Sequence, residues 1–306
     1  MIYTVTINPA LDYVVRGENI NSGSVNRVDG GVLQAGGKGI NVSVVLAELG
    51  CKSKALGFTA GFTGTELERM ISGKGVEADF VRLRSGFTRI NVKLKNSTEK
   101  GGIVETELNA AGPAISEEDI EKLLEKLSEI QDGDVIVLSG STAGLKDIYG
   151  RVLDTLSGKS IKSVIDTTGS LLLDSLKYRP WLIKPNLDEL AELFGERPDS
   201  TEKIVELAER LRKMGAGNVL VSMASDGAIL VDENGGISFM PALQGRAVNS
   251  VGAGDSMLAG FIAGMLQSSD YRYALKLGTA AGAATAFSEG LGTKDKIGEL
   301  LRQITV

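Results

Sequence analysis

Hydrophobic residues recur along the chain with two periods, and these periods predict the elements of the main fold. Short runs rich in β-branched residues predict strands, at 2–7, 54–57, 135–139, 163–166, 181–184, 218–223 and 228–232. Apolar residues at helical spacing predict helices, at 40–49, 65–72, 116–130, 200–214, 255–265, 271–288 and 295–304. Strands that alternate with helices of this length are typical of βαβ units around a mainly parallel sheet.

Two stretches, residues 12–33 and 86–108, break this alternation because they contain no helical pattern. In the second stretch polar and apolar residues alternate, with Arg89 and Asn91 set against Ile90 and Val92. This period predicts antiparallel strands of a small second sheet. Because both stretches are excursions from the main sheet, we expect a β lid inserted in a single domain that spans residues 1–306.

The predicted lid also bears on assembly. A small sheet of this kind leaves one face and one edge exposed, and both are costly unless something covers them. We therefore expect the lids of two copies to pack together and form a homodimer.

The histidine and cysteine counts restrict the chemistry more than any other feature of the composition. The chain has no histidine, which excludes Ser-His-Asp and Cys-His triads, histidine-liganded zinc and the histidine-containing catalytic loop of protein kinases. Its single cysteine, Cys51, excludes an intrachain disulfide and any multi-cysteine metal site. Chemistry in this chain must therefore use carboxylates, lysines, arginines, hydroxyl groups and backbone amides.

The charge balance and the apolar segments exclude further classes of partner. The 33 basic and 39 acidic side chains give a net charge of −6, so no nucleic-acid partner, which requires a basic face, is expected. The most apolar late stretch, residues 277–287, is too short to cross a bilayer, and residues 1–12 lack the basic segment of a secretory signal. We expect a cytoplasmic protein with no membrane partner.

The first of two glycine-rich turns is AGGKGIN, residues 35–41, just before a predicted helix. It differs from a P-loop because Val32 stands where the first glycine is required and Gly39 stands where Ser or Thr must follow Lys38. Two interpretations remain: a plain turn with an exposed lysine, or a substrate loop. In the second, glycines let backbone amides approach the ligand and Lys38 supplies a cation.

The second glycine-rich turn is NSVGAGDS, residues 249–256, which precedes an apolar helix. It is not a dinucleotide fingerprint, because Met257 occupies the last small-residue position. Amides at a glycine-rich helix N-terminus form an anion site. Asp255 is either the N-cap of that helix or a carboxylate at the mouth of the anion site, which suits phosphoryl transfer to a hydroxyl group.

A third motif, KPNLDE at residues 184–189, ends a predicted strand and begins a helix. Asn186 and Glu189 have the spacing of a capping box, which is one interpretation. The other is an amide and a carboxylate beside a magnesium–phosphate complex, since Mg²⁺ keeps several waters and takes few protein ligands. Asp12 is likewise either a turn residue or an acceptor for vicinal sugar hydroxyls.

These segments occur in an order that resembles ribokinase-type carbohydrate kinases of the phosphofructokinase B group. The matching stretches are TVTINPALD (4–12), GGKGINVS (36–43), TRINVKLK (88–95), LSGS (138–141), KPNLDEL (184–190), VSMASDGA (221–228), NSVGAGDSMLAGF (249–261) and ATAFSEGLG (284–292). The resemblance implies a ribokinase-like three-layer αβα fold with a mainly parallel central sheet and a small antiparallel β lid. It also implies ATP and Mg²⁺ as cofactors, a sugar phosphate as substrate, and a homodimer.

The resemblance further implies a role for each matched residue on the substrate side. The sugar would be held by Asp12, Gly37, Lys38, Gly39 and Asn41. The phosphate already on the sugar would be faced from the lid by Arg89 and Arg27.

On the nucleotide side, the resemblance places Asn186 beside the ATP phosphates and Glu189 beside Mg²⁺, through water. The nucleotide would be lined by Ser222, Met223, Ala224, Ser225, Asp226 and Gly227, and Gly254 would reach it as well. The anion hole would be formed by Gly252, Ala253 and Gly254, with Asp255 as base. A helix N-terminus favours an ionised carboxylate, which makes it a weak base; this conflict eases if the proton moves late, once the hydroxyl is already bonding to phosphorus.

Within the family, the chain is most similar to bacterial kinases of fructose 1-phosphate, which form fructose 1,6-bisphosphate. Kinases of tagatose 6-phosphate or fructose 6-phosphate are the alternative, and a non-catalytic sugar-phosphate-binding regulator is the alternative from another class. One departure is the turn after Ser141, where the family commonly has proline in SGSxPxG and this chain has Thr142, Ala143 and Gly144. We expect this turn to be less rigid.

Overall fold

The computed structural model describes residues 1–28, 30–97 and 103–304. In chain order its strands are β1 (Ile2–Thr6), β2 (Ala10–Glu18), β3 (Gly31–Gly36), β4 (Ser53–Ala60), β5 (Glu77–Ala78), β6 (Val81–Leu83), β7 (Arg89–Ser97), β8 (Ile103–Leu108), β9 (Val135–Ser139), β10 (Lys162–Asp166), β11 (Leu182–Ile183), β12 (Asn218–Ser222), β13 (Ala228–Val231) and β14 (Ile237–Met240). Its helices are α1 (Lys38–Glu48), α2 (Gly61–Ser72), α3 (Glu117–Ser128), α4 (Ile148–Thr155), α5 (Gly169–Ser175), α6 (Leu187–Phe194), α7 (Thr201–Met214), α8 (Ala253–Ser268), α9 (Tyr271–Ala286) and α10 (Lys294–Gln303).

The main sheet has the strand order β14-β13-β12-β11-β10-β9-β1-β4-β5, and β6 pairs with the end of β4. The strands from β12 to β5 are parallel, while β13 and β14 form an antiparallel edge. Val5 in β1 lies between Leu56 of β4 and Leu138 of β9 in the register. The chain adds strands on one side of β1 and later on the other, so the order reverses between β1 and β9, where α/β sheets open a crevice.

Helices cover both faces of the main sheet, as the three-layer fold requires. One core joins the sheet to α3, α4, α5 and α7, and the other joins it to α1, α8, α9 and α10. Every residue of β9 is buried. That burial explains its uninterrupted apolar run, since a strand covered on both faces needs no polar alternation. The predicted fold class is thereby confirmed.

The predicted lid is a separate sheet with the strand order β3-β2-β7-β8. Within each excursion the strands are antiparallel, as predicted. The two excursions meet along β2 and β7, however, and these strands are parallel from the pair Ala10–Arg89 to the pair Glu18–Ser97. Both strands leave the main domain at the same edge and run outward together, which makes them parallel. Asp29 and residues 98–102, which belong to the predicted excursions, lie outside the described residues.

Within the described part of the chain, none of the helices has the length and hydrophobicity needed to cross a bilayer.

Candidate active site

A cleft of about 1100 Å³ lies between the lid and the carboxyl ends of the parallel strands. Its floor includes Thr6, Ser139, Lys184 and Ser222, which end or directly follow β1, β9, β11 and β12. The carboxyl ends of parallel strands meet at one edge of a sheet, so residues far apart in sequence converge there. The cleft volume is slightly above the usual range of a site for one small molecule, so the cleft is large enough for a small-molecule ligand.

Most of the residues singled out from the sequence line this one cleft: Asp12, Gly37, Lys38, Asn41, Arg89, Asn186, Glu189, the segment 222–227 and the segment 252–255. Two do not. Gly39 lies in the first turn of α1, where a Cβ atom would come 2.6 Å from Oγ1 of Thr6, so the absence of a side chain permits close packing there. Arg27 is exposed in the loop between β2 and β3, at the end of the lid away from the cleft. Within its own chain, Arg27 therefore does not face the cleft as predicted.

The first glycine turn brings the lid against α1. Gly37 is the N-cap of α1 with φ 129°, a conformation that side chains disfavour. At Gly36 a Cβ atom would lie 2.6 Å from Oδ2 of Asp12. The absence of a side chain at Gly36 therefore leaves space for the Asp12 carboxylate at the rim of the turn.

Neighbouring polar groups of the lid fix the Asp12 carboxylate. Asn91 donates from Nδ2 to Oδ1 of Asp12 at 2.9 Å, and Nζ of Lys93 lies 3.4 Å from Oδ2. The same Nζ lies 3.1 Å from Oε1 of Glu107. The sequence analysis assigned no role to Asn91, Lys93 or Glu107, although the alternation in β7 places Asn91 and Lys93 on one face. The carboxylate thus points into the cleft in a defined orientation.

Arg89 is anchored at the point where β7 leaves the main domain. Its Nε donates to the carbonyl oxygen of Asn8 at 3.2 Å, and its Nη1 donates to that of Ala110 at 3.2 Å. These two bonds hold the guanidinium at the cleft, where its planar fork suits a phosphate group.

The second glycine turn places Asp255 inside the first turn of α8. The N-cap is Gly252, in the left-handed region with φ 80°, and it makes no side-chain cap. The interpretation of Asp255 as N-cap is therefore wrong. The Asp255 side chain is buried, with 6% exposure, and its Oδ2 accepts a hydrogen bond from Nδ2 of Asn41 at 2.7 Å.

A buried carboxylate that the sequence analysis did not single out lies beneath the two glycine turns. Asp166, the last residue of β10, is fully buried. Its Oδ1 lies 3.3 Å from Nζ of Lys38 and 3.4 Å from Nζ of Lys184. The sequence feature that could have identified Asp166 is its position at the carboxyl end of a predicted strand. Three chain segments thus bring two cations and one anion together on the cleft floor.

These neighbouring charges shift the pKa values of Asp255 and Asp166. Burial, and after it the carboxylate of Asp166, raises the pKa of Asp255 to about 6, while Asn41, Lys184 and Lys38 oppose the rise. Burial works against ionisation of Asp166, but Lys184 and Lys38 outweigh it and lower the pKa of Asp166. Desolvation thus overcomes the tendency of a helix N-terminus to make Asp255 a weak base.

The comparisons with known proteins agree with this geometry. Residues 4–297 match the model of the PfkB family, described as the pfkB family of carbohydrate kinases. The chain belongs to this family.

Among PfkB relatives, the 1-phosphofructokinase of Bacillus subtilis is 42% identical over 308 residues, which cover 100% of this chain and 99% of that protein. The D-tagatose-1-phosphate kinase of Bacillus licheniformis is 37% identical, with coverage of 100% and 99%. The structure of Escherichia coli phosphofructokinase-2 in complex with substrates and products has a TM-score of 0.91 and 25% identity, covering 99% of this chain and 98% of that one. The chain is therefore a carbohydrate kinase that uses ATP.

At the other end of this PfkB cleft, Asn186 and Glu189 form a capping box. Oδ1 of Asn186 accepts from the Glu189 N–H at 2.8 Å, and Oε2 of Glu189 accepts from the Asn186 N–H at 2.9 Å. The capping interpretation is confirmed, and both residues also line the cleft. Among the described residues no group of three or more carboxylates or thiols could hold a metal.

The segment 222–227 forms the wall beside this capping box. Asn186 pairs with Ser222 across an isolated parallel bridge, and Ala224–Asp226 form a short 3₁₀ turn. Gly227 has φ 97°, and a side chain there would collide with the backbone at Met240. Residues 224–226 are exposed at this wall of the cleft.

The turn that departs from the family pattern also lies near the cleft. Ala143 has φ 53°, a left-handed conformation. Proline is restricted to φ near −65°, so the family's proline does not fit this backbone. The lower rigidity expected of this turn stays a prediction.

Proposed function

We propose that the chain transfers the terminal phosphoryl group of ATP to fructose 1-phosphate, forming fructose 1,6-bisphosphate, with Asp255 as the base. The observation that carries the proposal is the position of the Asp255 carboxylate. This carboxylate is buried and accepts a hydrogen bond from Asn41. Its pKa is raised to about 6, and it lies at the mouth of a glycine turn. A base with a pKa close to the working pH is effective in proton transfer.

The lid side of the cleft suits the sugar phosphate. The Asp12 carboxylate, oriented by Asn91 and Lys93, can accept hydrogen bonds from sugar hydroxyls. Arg89, held at the cleft by two carbonyl groups, can donate to the phosphate already on the sugar. These contacts would direct the far hydroxyl of the sugar toward Asp255.

The opposite end of the cleft suits ATP and Mg²⁺. The backbone amides of residues 252–254 precede or open α8, and such amides stabilise the charge that develops on a transferred phosphoryl group. Glu189 presents a single carboxylate there, which fits Mg²⁺ that keeps most of its water and binds substrate phosphates. When bound, Mg²⁺ would neutralise charge on the phosphates, and Glu189 would hold it through water.

The second candidate substrate is a tagatose phosphate, favoured by the relative named D-tagatose-1-phosphate kinase. Fructose 6-phosphate is the third candidate substrate, because a structure of Escherichia coli phosphofructokinase-2 is described as a complex with it.

Release of ADP, measured with ATP, Mg²⁺ and a panel of fructose 1-phosphate, fructose 6-phosphate, tagatose 1-phosphate and tagatose 6-phosphate, tests the proposal. We expect the highest kcat/KM with fructose 1-phosphate. A higher kcat/KM with another sugar phosphate would mean that this compound, and not fructose 1-phosphate, is the substrate. Tight sugar-phosphate binding without any sugar-dependent ADP release would instead indicate a regulator.

The outer face of the lid supports a homodimer. The register of the lid strands places Tyr13, Leu33 and Leu108 in one row across the sheet, and Ile90 lies on the same face. Their side chains are 38–62% exposed. An apolar face of this kind on a small sheet is costly in water, and the same face of a second copy would cover it.

A further inference from the structure

One oxygen of Asp166 holds two lysine ammonium groups, while the other oxygen has no hydrogen-bond partner among the described residues. We propose that Asp166 is a positioning residue, which sets the ammonium groups of Lys38 and Lys184 beside the second glycine turn so that they bind the phosphoryl group during transfer. This inference rests on the proposed kinase function.

The location of Lys184 supports the inference. A Cβ atom at Gly254 would lie 3.2 Å from Nζ of Lys184, so the ammonium group adjoins the backbone of the glycine turn. The Lys184 side chain is only 5% exposed, whereas that of Lys38 is 36% exposed. One lysine thus lies under the turn and the other reaches into the cleft, and both are tied to the same carboxylate oxygen.

The cost of burying these charges points the same way. The cluster holds two ammonium groups and, once Asp255 is ionised, two carboxylates, so it carries no net charge before a ligand binds. Buried ion pairs contribute little net stability, because the loss of hydration offsets the attraction. Ammonium groups held beside a glycine turn are instead suited to a transferring phosphoryl group, whose charge needs pre-placed donors.

Asp166 also acts on the base electrostatically. Asp255 on α8 faces Asp166 on β10, Lys184 after β11, and Lys38 and Asn41 on α1, while Glu189 on α6 acts on Lys38. The Asp166 carboxylate raises the pKa of Asp255 and the two ammonium groups lower it. Removal of Asp166 should therefore shift the acid limb of the pH profile to lower pH, and removal of Lys184 should shift it to higher pH.

The test compares Asp166→Asn with Lys184→Met by steady-state kinetics across pH. We expect Asp166→Asn to lower kcat about 10- to 100-fold, less than the 10²–10³ lost with a direct donor, while both KM values change less. The acid limbs of the two variants should move in opposite directions. Unchanged kcat, or a fall in kcat with both limbs unmoved, would overturn the inference.

Asp134→Asn is the matched control. Asp134 is also a buried aspartate in an ion pair, with the amino group of Met1, but it lies at the opposite end of β9 from the cleft. We expect this control to lose stability and to keep kcat and the acid limb. Similar kinetic losses in both aspartate variants would mean that a general loss of stability is responsible, and would overturn the positioning role.

The double variant Asp166→Asn/Lys184→Met tests whether Asp166 acts through Lys184, because it removes both charges of one pair. If Asp166 acts through the lysines, the effects on kcat are less than additive, whereas full additivity contradicts the inference. Inactivity of the unmodified chain toward every sugar phosphate would contradict the proposed function, whereas an active chain with an unaffected Asp166→Asn variant contradicts only this inference.

Discussion

The Nδ2 amide of Asn41 donates a 2.7 Å hydrogen bond to Oδ2 of Asp255, across 214 positions of sequence. This bond joins the first turn of α1 to the first turn of α8, so the two glycine turns face each other over one carboxylate. It also favours the ionised form of that carboxylate, because the amide donates to a charged oxygen. The two glycine turns are therefore coupled through the Asp255 carboxylate.

Asp255→Asn should abolish most turnover while leaving the fold and ligand binding largely intact. General-base removal costs about 10²–10⁴-fold in rate, so we expect a fall in kcat of that order. Asparagine has the size of aspartate and retains an oxygen that can accept from Asn41. Titration calorimetry with the sugar phosphate and kinetics on the purified variant measure the two effects. A kcat near that of the unmodified chain would exclude Asp255 as the base.

The pH dependence of kcat/KM should show an acid limb near pH 6. The pKa of Asp255 is raised to about 6 by burial and Asp166, and only the ionised carboxylate can accept the proton, so activity falls as the pH drops through this value. Asn41→Ala removes a hydrogen bond that lowers the pKa of Asp255, so its limb should move to higher pH. An acid limb near pH 4, or a limb that Asn41→Ala leaves in place, would contradict the assignment.

Arg89→Ala should raise KM for the sugar phosphate by roughly one to two decades and change KM for ATP little. Charge-assisted contacts to phosphate contribute on the order of 1.5–3 kcal/mol, and about 1.4 kcal/mol corresponds to a factor of ten. Arg84→Ala is a matched control, since Arg84 is 83% exposed and pairs with Glu118 outside the cleft. Equal losses for both substrates would indicate that Arg89 organises lid closure.

The homodimer can be tested at the outer face of the lid. Ile90→Glu places a charge on that face and should convert the dimer to a monomer, as measured by light scattering at micromolar concentration. Ile237→Glu is the matched control, because Ile237 is also exposed but lies in β14 of the main sheet. A monomeric unmodified chain, or dissociation of both variants, would contradict a lid-mediated dimer.

The sequence was sufficient to predict the main fold because hydrophobic period and helix caps are local properties. The buried run 135–139 and the helical pattern that begins at residue 116 appear in the structure as β9 and α3. The short strands β5, β6 and β14 have at most four residues each and were not predicted. Unlike β13, which is as short but buried throughout, these strands include exposed residues and form no uniformly buried run.

The sequence by itself also determined the family and the edge of the sheet where the motifs meet, since glycine turns at strand ends specify backbone geometry locally. Only the tertiary structure decided that β2 and β7 are parallel, that Arg27 lies away from the cleft of its own chain, and that Asp166 joins Lys38 to Lys184. Burial and charge depend on residues that are distant in sequence. The raised pKa of Asp255 arises from just such neighbours, and therefore no local pattern could reveal it.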